Sequence, residues 1–302
     1  MTGDIIAGNK TIINNIIQQT AKQIVTAPYK FLSSYDISDR DIFFGREAVI
    51  EQIVGKLPRY KTLVINGRSG SGKTSLINAG LIPHLAENGY HYLSFREYSG
   101  PLRQLREHVA HNDVFKAYAD QTDSLTQFLK AVTRQQNMRL VVIFDQFERF
   151  FVNILDTNIR TQFIQEIKAC LERYLSGAEL DLVFALREEF FGQLTREFVA
   201  HIPTFLKEAD LFNLEPLNRD EARKAIICPL ECLTTVKIGY DETFVDEVLL
   251  PGLMGESVGG LAIDPPHLQI VCNQLYEKAK EQNTAKLERG GVVEIIDASV
   301  DF

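Results

Sequence analysis

The chain has 302 residues, a length that suits two domains better than one core. Hydrophobic residues make up 45% and charged residues 24%, an ordinary soluble globular balance, and the net charge of −8 argues against general nucleic-acid binding, which wants clustered Lys and Arg. No apolar run approaches the roughly 18 residues of a membrane span, and the N-terminus lacks the cationic and apolar blocks of a secretion signal, so a cytoplasmic location is expected.

In chain order, residues 1–27 come first. After a turn-rich start, Ile12, Ile13, Ile16, Ile17 and Ile24 recur at helical spacing among Asn and Gln. The segment is too small to fold alone, so it either docks on the main body or associates with copies of itself. Pro28 ends it. From there to about residue 215, apolar strands alternate with helices. Leu63–Asn66 predicts a strand and Thr74–Asn88 the helix after it. Tyr92–Phe95 predicts a second strand and Ser124–Arg134 a helix. Leu140–Asp145 is the clearest strand, and Asn158–Tyr174 is an amphipathic helix. Leu182–Leu186 and Leu211–Leu214 supply the fourth and fifth strands. Continuous apolar strands between helices imply a mainly parallel sheet covered on both faces.

After Pro216 the strand pattern stops. Asp220–Ile227, Glu242–Leu250 and His267–Glu281 read as helices, punctuated by Pro229, Pro251, Pro265 and Pro266. Residues 216–290 are therefore expected to form a small helical domain. Residues 291–302 read as the start of another element, which suggests a piece of a longer protein. Cys228 and Cys232 stand four apart, as a metal pair on a helix would. No second close Cys/His pair completes such a site, and reduced, mostly buried thiols are the better expectation.

The chemistry concentrates in a few stretches. Gly67-Arg68-Ser69-Gly70-Ser71-Gly72-Lys73-Thr74 matches the phosphate-loop pattern Gly-x4-Gly-Lys-Ser/Thr. Its glycines let the backbone wrap so that N–H groups face a phosphate. Lys73 is expected to reach the β- and γ-phosphates and Thr74 to ligate Mg²⁺, with Gly67, Ser69, Gly70, Ser71, Gly72 and Ser75 completing the cradle. The motif follows an apolar strand and opens a helix, whose N-terminus favours an anion. Asp145, at the end of a buried strand, is the expected second metal ligand. Glu148 either orients the attacking water or is a supporting carboxylate, while Gln146 stands where many related ATPases have a catalytic Glu. Arg187 closes the next strand; it either senses the γ-phosphate or pairs with a neighbouring acid. Neither the guanine-reading Asn-Lys-x-Asp nor the transporter signature Leu-Ser-Gly-Gly-Gln occurs, so ATP is the expected nucleotide.

These residues together give a chain that resembles the STAND family, signal-transducing ATPases related to AAA+ proteins, and most of all its bacterial "novel STAND" branch. The resemblance rests on Pro28 to Leu32, Phe43-Phe44-Gly45-Arg46-Glu47, Gly67 to Thr74 and Asp145 to Glu148. It continues through Leu186 to Phe190, Leu214 to Leu217, Glu221 to Pro229 and Pro266 to Cys272. It implies a P-loop three-layer sandwich with strand order 5-1-4-3-2 and a helical lid. It also implies that Phe44, Gly45 and Arg46 lie near the adenine, that Pro229 contacts the nucleotide from the lid, and that Arg187 is the sensor. Phe43 reads as core. Two departures, Arg149 where a second acid is usual and Glu188-Glu189 after Arg187, point to slow hydrolysis. The implied function is a switch: ADP holds the protein closed, and ATP opens it for homo-oligomerisation under a signal received through a C-terminal region. The alternative is an AAA+-type motor or loader acting on a macromolecule. A small-molecule kinase would need an acceptor pocket and an Arg-rich lid, and neither is found.

Overall fold

A computed structural model describes residues 27–57, 61–98, 117, 124–129, 139–173, 179–203, 205, 209–233, 238–254, 262–282 and 286–287. The isoleucine-rich stretch before Ala27, the end of the helix expected at Ser124–Arg134 and residues 291–302 lie outside them. The chain divides into two compact units. One comprises Glu51–Ser69 and His84–Leu214; the other comprises Met1–Ile50, Gly70–Pro83 and Glu215–Phe302.

The first unit is built on a sheet of β1 (Thr62–Gly67), β2 (Tyr90–Phe95), β3 (Arg139–Phe144), β4 (Glu179–Arg187) and β5 (Ala209–Asn213). The order is β2-β3-β4-β1-β5 with every pairing parallel, which is the expected 5-1-4-3-2 read from the opposite side. Parallel pairing brings all five C-terminal ends to one edge. The strands are apolar on both faces. Leu140, Val142 and Phe144 point one way with Leu182, Phe184 and Leu186, and Val141 and Ile143 point the other way with Val183 and Ala185; all are at most 3% exposed.

The face carrying Phe144 and Phe184 packs on α3 (Glu148–Asn153), α4 (Thr157–Arg173) and α5 (Phe191–His201), through Phe150, Phe163, Ile167, Leu194 and Phe198. The contact is unusually rich in phenylalanine. Phe144 stacks on Phe184 at 4.9 Å between ring centroids, and Phe147 stacks on Phe150 at 4.9 Å while meeting Phe184 edge-on at 5.0 Å. Each fully buried ring contributes about 1.5–3 kcal/mol by burial alone, so this cluster fixes the segments attached to it.

The second unit is mostly helical. Its helices are α1 (Glu47–Lys56, shared at Ile50 with the first unit) and the run Lys73–Ser75, Leu76–Leu81 and Ile82–Glu87, here called α2, whose last turn belongs to the sheet unit. They continue with α6 (Arg219–Glu231), the run Glu242–Phe244, Val245–Leu249 and Leu250–Leu253, called α7, and α8 (Pro265–Glu281). Asn218 and Glu221 form a reciprocal capping box at the start of α6. Pro265 and Pro266 occupy the first turn of α8, where a missing N–H costs nothing. Pro229, expected to end its helix, lies inside α6; only the last two residues follow it, so it removes one bond without breaking the helix. Tyr29, Ala222, Ile226, Leu250, Leu268 and Leu275 form the core. Strand pairing does persist after Pro216: β6 (Gly239–Tyr240) and β7 (Lys286–Leu287) make a two-residue parallel pair, too short to leave a periodic signal. Among the described residues, no helix is long and apolar enough to cross a membrane.

Candidate nucleotide-binding site

The C-terminal edge of the sheet assembles the expected acidic and basic groups from chain geometry. Gly67, which ends β1, lies in register with Arg187, which ends β4. Phe144 ends β3 between Phe95 and Phe184, so Asp145 is the first residue past the edge. Its side chain is 1% exposed, and a carboxylate so buried needs partners. Gln146 N–H donates to Oδ1 at 2.9 Å, and Arg96 Nε reaches Oδ2 at 3.1 Å. The backbone is held as firmly: Asp145 N–H donates to the Phe95 carbonyl at 2.8 Å, and the Tyr98 hydroxyl donates to the Asp145 carbonyl at 2.8 Å. Burial, then the charges of Asp145 and Glu148, push the Tyr98 phenol well above its ordinary range, so it remains a donor.

The turn after Asp145 explains its own sequence. Gln146 takes a left-handed conformation with φ of 53°, and its N–H donates to the Asp145 carboxylate. Phe147 N–H donates to the Ala185 carbonyl at 2.8 Å, and its ring is sealed in the phenylalanine cluster. Glu148 consequently starts α3 against the end of β4. There Arg187 Nε lies 3.3 Å from Glu148 Oε1, and Arg187 N–H donates to Oε2 at 3.3 Å. Of the two roles open to Arg187, the geometry displays the pairing with an acid, although 49% of its side chain remains exposed.

Residues Gly70 to Ser75 belong to the helical unit. Gly70 and Gly72 have φ of 80° and 90°, a left-handed region that favours glycine. A Cβ on Gly70 would also meet Pro266 Cγ at 3.0 Å. Gly72 caps α2, its carbonyl accepting from Leu76 N–H at 2.8 Å, and Lys73 Nζ stands 3.4 Å from Ser71 Oγ. Thr74 follows in the first turn. Ser75 Oγ accepts from Tyr35 N–H at 3.1 Å, which ties the loop to the segment ahead of α1. The next stretch, Leu76–Leu81, is a buried π-helical insert in α2 that hydrophobic spacing did not distinguish from α-helix.

The segment before α1 carries the other expected contacts. Phe44 is half-buried. Gly45 has φ of 88°, and a Cβ there would stand 2.3 Å from the Glu221 carbonyl oxygen of α6. Arg46 is 5% exposed; its guanidinium donates to the Glu215 carbonyl at 2.8 Å and meets Glu221 Oε2 at 3.4 Å. Burial lowers the Arg46 pKa and Glu221 opposes that shift. Phe43 packs on Tyr35 at 5.4 Å beside Ile42 and Ala79, as core. Pro229 is buried in α6.

Arg96 and Tyr98 are the residues that sequence reasoning missed. They follow β2 and belong to no motif. The argument that singled out Arg187, a cation just past an apolar strand, also applies to Arg96, because β2 adjoins the strand ending at Asp145.

Residues 28–300 match the family model described as Novel STAND NTPase 1. No curated protein matches the chain in sequence. Among solved structures, the chain is similar to the ORC2 protein of Aeropyrum pernix, in its ADPNP-ADP complexes, with a TM-score of 0.56 and 16% identity over 84% of this chain and 67% of that one. It is also similar to the Walker-type ATPase PABY2304 of Pyrococcus abyssi, with a TM-score of 0.53 and 15% identity over 85% and 73%. A third similar structure is the A. pernix ORC1 protein in complex with DNA, with a TM-score of 0.51 and 13% identity over 86% and 66%. Likeness at such identities is one of fold, and the chain spans about two thirds of the length of the two ORC proteins.

Proposed function

Because the chain belongs to the Novel STAND NTPase 1 family, we propose that it is an ATP/ADP-binding signalling switch in which the bound nucleotide controls opening and homo-oligomerisation. Hydrolysis in this reading is slow. The observation that carries it is the Glu148–Arg187 pair. Both carboxylate oxygens of Glu148 lie against Arg187 donors, so a water molecule must compete with a guanidinium and a backbone N–H for the same acceptor. An enzyme built for rapid turnover would keep that oxygen available.

In this reading residues 28–215 form the nucleotide-binding domain and 216–290 its lid. Gly67, Ser69, Gly70, Ser71, Gly72, Lys73, Thr74 and Ser75 cradle the phosphates. Phe44 and Gly45 line the adenine side with Pro229, while Arg46, committed to Glu215 and Glu221, fixes their backbone. Thr74 and Asp145 would hold Mg²⁺, which would supply charge neutralisation to the phosphates. The Asp145 carboxylate fits that role, since it is buried and the side chain on its Oδ2 is itself a cation. Moving a closed-to-open ratio from 1:99 to 99:1 requires about 5.5 kcal/mol of differential affinity. Contacts that reorganise around the γ-phosphate, Glu148–Arg187 among them, are the source. Residues 1–27 serve self-association, the signal arrives through a C-terminal region, and the setting is cytoplasmic.

Mass spectrometry of nucleotide released from the purified protein tests the proposal, and ADP is expected. Mg-ATP should raise the unfolding temperature, and Lys73→Ala should abolish that rise. Steady-state turnover should lie well below about 1 s⁻¹, the low end of ordinary enzymes. Faster turnover would favour the motor or loader reading. Absence of both released nucleotide and thermal shift would overturn nucleotide binding itself.

A further inference from the structure

We propose that Arg96 is a built-in counter-ion that occupies Asp145 ahead of the divalent cation and so sets how much Mg²⁺ the protein needs to hold its nucleotide. The inference rests on the nucleotide-binding reading above and adds a residue to it.

The geometry is specific. Arg96 and Asp145 are the first residues past two adjacent parallel strands, whose last residues Phe95 and Phe144 are in register. The Asp145 N–H donates to the Phe95 carbonyl, so the two backbones are locked side by side and the guanidinium has a short reach. Arg96 Nε sits 3.1 Å from Oδ2, and the two side chains differ sharply in exposure, 40% for Arg96 and 1% for Asp145. The acid is fixed in the protein while the base lies at the solvent boundary, so the base is the partner that can leave. Oδ1 accepts the Gln146 N–H, and Oδ2, which Arg96 holds, is the oxygen on which a second cation would compete with it.

A divalent ion drawn to Asp145 meets two obstacles. The ion pair must open, and a positive guanidinium next to the site repels it. Arg96 therefore raises the Mg²⁺ concentration required, and it does so through Asp145 rather than by touching nucleotide. It is a positioning residue. A part-exposed pair of this kind corresponds to roughly a 1.5-fold to fivefold change in apparent Mg²⁺ affinity. Lysine keeps the charge and should keep most of the effect; methionine keeps much of the stem and none of the charge.

The test uses the full chain and titrates Mg²⁺ into a fixed concentration of fluorescent ADP, reading the Mg²⁺ concentration at half-maximal tightening. Arg96→Met should lower that midpoint roughly 1.5-fold to fivefold, with Arg96→Lys near the parent protein. Direct Mn²⁺ binding followed by electron paramagnetic resonance should move the same way. Arg96→Gln, checked for a native unfolding profile, replaces the methionine variant if that one does not fold. An unchanged or raised midpoint in the neutral variants overturns the role of Arg96. If the parent protein binds no fluorescent ADP at any Mg²⁺ concentration, the nucleotide reading fails and the inference with it.

Discussion

Replacing Asp181 by asparagine isolates one buried charge from everything else in the sheet. Asp181 lies near the start of β4, is 3% exposed, and its Oδ1 has no hydrogen-bond partner among the described residues. Burial raises its pKa to about 6 from an ordinary 3.8, with the charges of Lys61 and Arg139 pulling the other way. The native state therefore holds this proton more tightly than the unfolded chain does. Between those two values the folded protein is protonated and the unfolded chain is not, so stability falls as pH rises through the window. Above about pH 6 the full penalty applies, and the gap corresponds to about 3 kcal/mol. Asparagine resembles the neutral acid at every pH. Asp181→Asn should leave stability nearly unchanged at about pH 4 and raise it by up to about 3 kcal/mol at about pH 7.5. Urea unfolding of both proteins without nucleotide, at several pH values across this range, measures the difference. Asp181 stands six positions before Arg187 in β4, about 20 Å at strand rise, so nucleotide binding should be unaffected. Parallel pH profiles for the two proteins, or a less stable variant at neutral pH, would falsify the assignment of an unpaid charge to Asp181.

Two backbone positions give further checks. Gly45→Ala forces a Cβ to 2.3 Å from the Glu221 carbonyl in a left-handed conformation. A loss of about 2–4 kcal/mol is expected in urea unfolding, with faster proteolysis of the α6 region. Phe31 has φ of 55° and is 43% exposed, an uncommon place for a bulky side chain. Phe31→Gly should stabilise by about 0.5–1 kcal/mol, as relief of the left-handed strain exceeds the entropy of glycine. Thermal unfolding reads this, and a loss would mean that the ring contributes more than the strain costs.

The central strands were legible because both their faces are apolar: Leu140 to Phe144 admits little else. The phosphate loop was legible because its glycines and Lys73 have fixed spacing. The strand order came from resemblance, since alternation alone does not say which parallel strands adjoin. Arg96 stayed hidden because its importance comes from the neighbour of β2, a fact of pairing rather than of local sequence. The π-helical insert at Leu76–Leu81 escaped because a buried apolar run carries no clear period. Gln146 draws attention for chemistry by its position after Asp145, whereas the structure shows its backbone N–H, common to every residue but proline, donating to the carboxylate. Pro229 was read as a stop, and its closeness to the end of α6 made it tolerable instead.

The amide of Gln269 has a consequence for how the helical unit can move. Its single Oε1 accepts from both Lys30 N–H at 2.9 Å and the Tyr35 hydroxyl at 3.0 Å, while Tyr35 N–H reaches Ser75 Oγ. Half a turn of that amide would present its NH₂ to two donors and cancel both bonds together, about 2 kcal/mol at once. The junction therefore behaves as a single-pole contact. These two bonds from residues 28–36 to α8 form or break together, while Tyr29 keeps its own hydroxyl bond to the Ile226 carbonyl and its ring contact with Tyr276.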